Sequence, residues 1–170
     1  MNNIQAPPAL ALHASAALTP GGALLFLGHA GAGKSTAVHL LAERFSTLAD
    51  DAVLLLPQPD GTWQVACGDR TVFGGRAAVE AATGLDWVPL RAVLRLFQAP
   101  EPRLVPILPR ETCRHLMDAA FEITWQQRLR PDAVRGMFSS VARLARAIPG
   151  WEMHLSTSPV TSDLVAEALV

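Results

Sequence analysis

The chain has 170 residues, half of them hydrophobic, and a formal net charge of −1. That length and apolar share supply one sizeable core and suit one domain better than two. The sparse, balanced charge excludes a basic nucleic-acid-binding face and an acidic tail, and Cys67 and Cys113 lack the CxxC spacing of a zinc or redox site.

Residues 1–8 read as a flexible N-terminal arm ending in Pro7-Pro8, and 9–170 as a single domain. Ala9 to Leu18 is apolar, but the first Lys or Arg is Lys34, so the positive start of a signal peptide is missing. No run is long enough to span a membrane. The expected setting is the cytoplasm, with both thiols reduced and no nucleic-acid or membrane partner.

Leu10 to Ser15 reads as a short strand, and Thr19-Pro20-Gly21-Gly22 as a turn. Ala23 to Leu27 is an apolar run of the kind that forms a buried parallel strand. A glycine-rich loop follows, then a helix from about Lys34 to Phe45 with Val38, Leu41, Ala42 and Phe45 on one face. Ser46 to Ala49 reads as a strand ending at Asp50-Asp51. Ala52 to Leu56 and Thr62 to Ala66 flank Pro57-Gln58-Pro59-Asp60-Gly61, the pattern of a β-hairpin. Arg76 to Ala82 suits a short helix and Arg91 to Phe97 a core strand. A proline-constrained loop holds one short strand around Arg103 to Leu108.

The last third turns helical. Leu116, Ala120, Phe121, Trp125 and Leu129 make one apolar stripe over Glu111 to Arg130. Pro131 opens the next helix, with Val134, Phe138, Val141, Ala145 and Ile148 as its stripe. Trp151 to Leu155 reads as a strand, and Ser158-Pro159 opens a terminal helix as N-cap and first residue.

Gly28-His29-Ala30-Gly31-Ala32-Gly33-Lys34-Ser35 fits GxxxxGK[ST] without a mismatch, between an apolar strand and an amphipathic helix. Its glycines let successive N–H groups turn inward onto an anion, and the helix start adds its dipole. Gly28, Ala30, Gly31, Ala32, Gly33, Lys34, Ser35 and Thr36 are the expected nucleotide-binding residues. The Lys34 ammonium can reach the outer phosphates, and Ser35 offers a hard oxygen to Mg²⁺. The motif alone does not separate kinases from ATPases, GTPases or nucleotide sensors.

Asp50-Asp51 follows the loop helix by one short strand, which brings the pair toward the phosphates. One carboxylate could hold Mg²⁺ and the other accept a hydroxyl proton; a surface turn or cap pair is the plainer reading. His13, alone between Leu12 and Ala14, reads as structural unless its strand lies beside the loop strand. The four tryptophans read as packing residues. Arg103, Arg110 and Arg114 read as solvated, with Arg70 and Arg76 the stronger candidates to assist chemistry.

The order of Leu12-His13-Ala14-Ser15, the GHAGAGKST loop and Leu48-Ala49-Asp50-Asp51-Ala52-Val53 resembles the catalytic domain of HPr kinase/phosphorylase, and more closely the short HPr-kinase-related proteins. The detailed resemblance covers about the first 55 residues. It implies an α/β P-loop domain with a mixed sheet, related to the HPr kinase C-terminal domain and phosphoenolpyruvate carboxykinase. It also implies phosphoryl transfer from ATP with Mg²⁺ to a serine hydroxyl. By position, Lys34 binds phosphates, Ser35 and Asp50 serve the metal, Asp51 accepts the proton and His13 lies beside the transferring group. The later glycine-rich segment for phosphorolysis and the later metal-binding glutamate have no clear equivalents, Phe73-Gly74-Gly75 and Glu80 being poor matches. Some short members tailor ribosomal peptides, lasso-peptide precursors among them, so the implied acceptor is a peptide or small protein. A small hydroxyl compound such as free serine, or a non-catalytic nucleotide-sensing module, stays open, as does a homo-oligomer.

Overall fold

In the computed structural model, the described residues are 9–42, 44–66, 87–124, 129–156 and 160–169. In chain order they form β1 (Leu10–Leu12), β2 (Ser15–Thr19), β3 (Gly22–Leu27), α1 (Lys34–Leu41), β4 (Ser46–Ala49), β5 (Val53–Pro57) and β6 (Trp63–Ala66). Then come β7 (Trp87–Gln98), β8 (Arg103–Ile107), α2 (Pro109–Thr124), α3 (Pro131–Ala147), β9 (Gly150–Leu155) and α4 (Val160–Leu169).

The sheet is mixed, as expected. Its order is β1-β5-β6-β7-β3-β2-β4, with β9 also paired to β7 and β8 to β9. Among the described strands, only the β3–β7 and β7–β9 pairings are parallel. The hairpin of β5 and β6 forms as the turn residues dictate, with Leu55 opposite Val65. Strand β7 holds the two halves together: Trp87 to Pro89 pair with β6, and Val93 to Gln98 pair with β9. A register shift beside Arg91 lets Leu90 and Val93, three residues apart, face the same core.

Strand β3 is buried on both faces, which is why it reads as an unbroken apolar run. Leu25 and Leu27 pack toward α2 and α3, among Leu116, Ala120, Val141 and Leu144. Leu24 and Phe26 pack on the opposite face, toward α1 and α4, among Ala37, Val38, Leu41 and Val165. Each such aliphatic or aromatic side chain gains about 1.5–3 kcal/mol by leaving water.

The structure moves several expected boundaries. The residues after His13 form a separate strand, β2, which pairs with both β3 and β4. Helix α1 stops at Leu41 rather than Phe45. In α2 and α3 the expected stripe residues Leu116, Ala120, Val141, Ala145 and Ile148 are buried, but the two phenylalanines of those stripes are not. Met117 and Ala119, and Met137 and Leu144, are buried, while Phe121 and Phe138 stay exposed. The helices lie against each other as well as the sheet, so these two phenylalanines fall on the outer flank and meet edge-to-face at 6.1 Å. The arm 1–8, Cys67, Arg70, the Phe73 to Gly75 segment, the Arg76 to Ala82 helix, Glu80, Trp125 and Ser158-Pro159 lie outside the described residues.

Candidate functional site

The glycine-rich loop leaves the C-terminal end of β3 and enters α1 at Lys34. Gly33 caps the helix in a left-handed conformation, φ +98°, which a side chain rarely adopts. At Gly28 a Cβ would come within 2.5 Å of the Ala32 Cβ, so the curl closes only around hydrogen. The Ala32 N–H donates to the His29 carbonyl at 3.0 Å, and Gln98 at the end of β7 donates Nε2 to the Gly31 carbonyl at 3.0 Å. Ala30 and Gly31 at the tip, and Ser35 and Thr36 in the first helical turn, are exposed.

Lys34 is only 8% exposed, and its ammonium donates to the carbonyls of Gly28 at 2.6 Å and His29 at 3.4 Å. Burial is the main cause that lowers its pKa from the ordinary 10.5. Glu122, Asp51 and Asp50 pull the other way, and the charge of Arg95 adds to the lowering. Lys34 therefore shares one local field with three carboxylates and a guanidinium.

Topology explains how the acidic pair arrives. Strand β4 runs parallel to β3 but with β2 between them. The C-terminal ends of β3 and β4 and the start of β2 thus share one edge of the sheet. Ser15, first residue of β2, donates its hydroxyl to Asp50 Oδ1 at 2.7 Å, and Ser35 donates to the same oxygen at 3.0 Å. Asp51 has φ +81°, an uncommon conformation that aspartate tolerates better than most residues. The resulting turn brings Asp51 Oδ1 to 3.3 Å from His13 Nδ1. His13 Nε2 lies 3.6 Å from Glu122 Oε2 on α2, so the imidazole sits between two carboxylates. Its backbone N–H donates to Ala119 O at 3.0 Å, which fixes the β1–β2 connection to the helix one turn before Glu122.

All the residues singled out in the loop, at Asp50-Asp51 and at His13 therefore meet at one edge. The Ser15, Ser35 and Asp50 oxygens form a hard donor cluster that suits Mg²⁺, whose remaining ligands are ordinarily water and substrate phosphates. No group of three or more His, Cys, Asp or Glu residues able to hold a metal by themselves exists among the described residues. No described helix is long and apolar enough to cross a membrane.

The family described as SynChlorMet cassette protein ScmC matches residues 1–165. The chain belongs to this family. No curated protein matches the ScmC-family chain in sequence. A solved structure, that of the Hpr(Ser) kinase/phosphatase from Coxiella burnetii, is similar at 13% identity and a TM-score of 0.48. The match covers 92% of this chain and 94% of that one.

Three ScmC-family residues at or beside the site, Ser15, Glu122 and Arg95, are not assigned a role by the sequence, and His115 shows no metal-ligand spacing there. Ser15 stood in the quoted string without a role. Glu122 reaches His13 only because α2 packs beside β1. Arg95 has a signal in the sequence, a charge inside an apolar strand. Its place beside the loop needs the β3–β7 register, which sets it opposite Leu27. His115 on α2 is 5% exposed, and its Nδ1 has no hydrogen-bond partner.

Burial, followed by the charges of Arg95 and Arg114, lowers the His115 pKa from 6.5, while Asp118 and Glu152 oppose the shift. The folded value is below the unfolded one, so the unfolded chain binds more protons between the two. Stability contributed by neutral His115 is present above 6.5 and is lost as pH falls through the lowered value. His115→Leu is expected to flatten the acid limb of a urea-unfolding series run from about pH 7.5 to about pH 5. An unchanged limb would show that this imidazole does not titrate differently on folding.

Proposed function

We propose that the chain is an ATP-dependent, Mg²⁺-assisted kinase that phosphorylates a serine hydroxyl on a peptide or small protein. One observation carries the reading: His13, Asp50 and Asp51 converge with Lys34 and Ser35 on the edge where the glycine-rich loop opens. In this reading the loop N–H groups of 28–36 and Lys34 hold the phosphates. Ser35 and Asp50 would hold Mg²⁺, with Ser15 keeping Asp50 in place; the ion would supply charge neutralisation at the phosphates.

Asp51 takes the proton of the acceptor hydroxyl, whose oxygen forms the new P–O bond as the bond to the ADP oxygen breaks. His13 orients Asp51 from one side, with Glu122 behind it. The Asp51 side chain is 76% exposed, which suits an acceptor that arrives from outside rather than a small molecule enclosed by the protein. The description of the family as cassette proteins supports looking for that acceptor among co-encoded products.

The test is mass spectrometry of the protein with ATP, Mg²⁺ and serine-containing peptides, co-encoded products included. The expected result is one added phosphoryl group on a peptide serine. Bound ATP with no phosphate gained by any peptide, or gained by free serine instead, would overturn the assignment of the acceptor.

A further inference from the structure

We infer that Arg95 is the second cation of the phosphate site and grips the phosphoryl group that is transferred. The inference rests on the phosphotransferase reading above. Arg95 lies inside β7 between the buried Leu94 and Leu96. Leu94 and Leu96 pack into the core on one face, so Arg95 points to the other, where its side chain is half-buried. The parallel register sets it opposite Leu27, the last residue of β3 before the loop. One terminal guanidinium nitrogen lies 3.4 Å from the Nδ1 of His29, within the loop itself. The guanidinium carbon lies 5.6 Å from the Phe97 ring centroid, and Phe97 stacks on His154 with centroids 5.6 Å apart. The head group is therefore held in place from below.

The bonding of this guanidinium is unfinished. Its Nε is buried with no hydrogen-bond partner. Among the described residues no carboxylate lies within ion-pair distance of it. Its cross-strand neighbour Glu152 instead has a carboxylate oxygen 3.6 Å from His154 Nε2. Arg95 and Lys34 also repel each other across the loop base. An anion between two such cations relieves their repulsion, and the planar fork of arginine matches phosphate oxygens. Asp50, Asp51 and Glu122 act on the same Lys34 charge, so an anion held by Lys34 also lies near these carboxylates. A phosphate held there is the one that faces the incoming hydroxyl. Arg95 is thus set where charge spreads over the oxygens of the group in flight.

The experiment is calorimetric titration of the full chain, with Mg²⁺, against ATP, ADP and inorganic tripolyphosphate. It compares the wild type with Arg95→Met, which keeps an unbranched apolar stem over Phe97. The variant is expected to lose about tenfold or more in affinity for ATP and tripolyphosphate and much less for ADP. Phosphoryl transfer should fall by roughly a hundredfold. A variant that keeps the wild-type preference for ATP over ADP, at an unchanged melting temperature, overturns the inference and leaves the kinase reading standing. A wild type that binds neither ATP nor tripolyphosphate overturns that reading itself, and this inference with it. Should Arg95→Met not fold, the Nε–H resonance of Arg95 in the wild type decides. It should move on addition of ATP and little with ADP, and a resonance unmoved by saturating ATP overturns the inference.

Discussion

Asp51→Asn is expected to lower phosphoryl transfer by about 10²–10⁴-fold, the usual worth of a positioned general base, while ATP affinity stays within a few-fold of the wild type. The choice of substitution follows from the backbone. Asp51 holds φ +81°, and asparagine is among the few side-chain-bearing residues that accept this region. Alanine there would add backbone strain of order 1–3 kcal/mol and confuse a lost base with a distorted turn. Asparagine keeps the shape and one oxygen near His13 but cannot take a proton at neutral pH. Single-turnover transfer separates chemistry from binding, and calorimetry with ATP checks the binding. If transfer survives in Asp51→Asn, the base is elsewhere. The nearest alternatives are then Asp50, held by Ser15 and Ser35, and Glu122, held against His13.

The site was legible in the sequence where its parts are local, and illegible where they depend on pairing across the sheet. The loop was readable because turn, anion cradle and helix start all lie within eight consecutive residues. The β5–β6 hairpin was readable because its turn residues and alternation are contiguous. Asp50-Asp51 was placed near the loop by assuming neighbouring parallel strands. The direction was right, but β2 lies between them and supplies Ser15 to Asp50. That insertion could not be read, since nothing in the local pattern from Leu10 to Thr19 says where one strand ends and the next begins. Arg95 and Glu122 are the stronger cases. Each lies far from the loop in sequence, and each arrives through long-range packing: Arg95 by the β3–β7 register and Glu122 by the docking of α2 on the β1–β2 connection. The helix stripes were legible at their centre, where Leu116, Ala120, Val141, Ala145 and Ile148 are buried, and not at their flank. Periodicity shows that a face is apolar, but the partner decides how much of it is covered, and Phe121 and Phe138 find each other instead of the core.

Phe26→Ala is expected to cost about 3–5 kcal/mol, a large part of the 5–15 kcal/mol that holds a typical domain folded. Phe26 is fully buried in β3, two residues before the loop, and packs in the core that contains Ala37, Val38 and Leu41 of α1. Its strand neighbours are Ser15 on β2 and Leu94 on β7, so the ring lies at the centre of the sheet. Removing it leaves a cavity that neighbours on three sides cannot all close, because the backbone of β3 is fixed by ladders on both edges. The cavity also unseats α1 from the strand that carries the other end of the loop. Urea unfolding measures the loss, and Phe26→Leu, which leaves a smaller void, should lose less. A loss under about 1 kcal/mol for Phe26→Ala would mean that the helix does not rest on this ring as described. Ligand linkage then ties the packing to the site. ATP at a hundred times its Kd should return about 2.7 kcal/mol if the loop of the variant still closes on phosphate. A smaller return would mean that the position of α1, set by Phe26, is part of what shapes the loop.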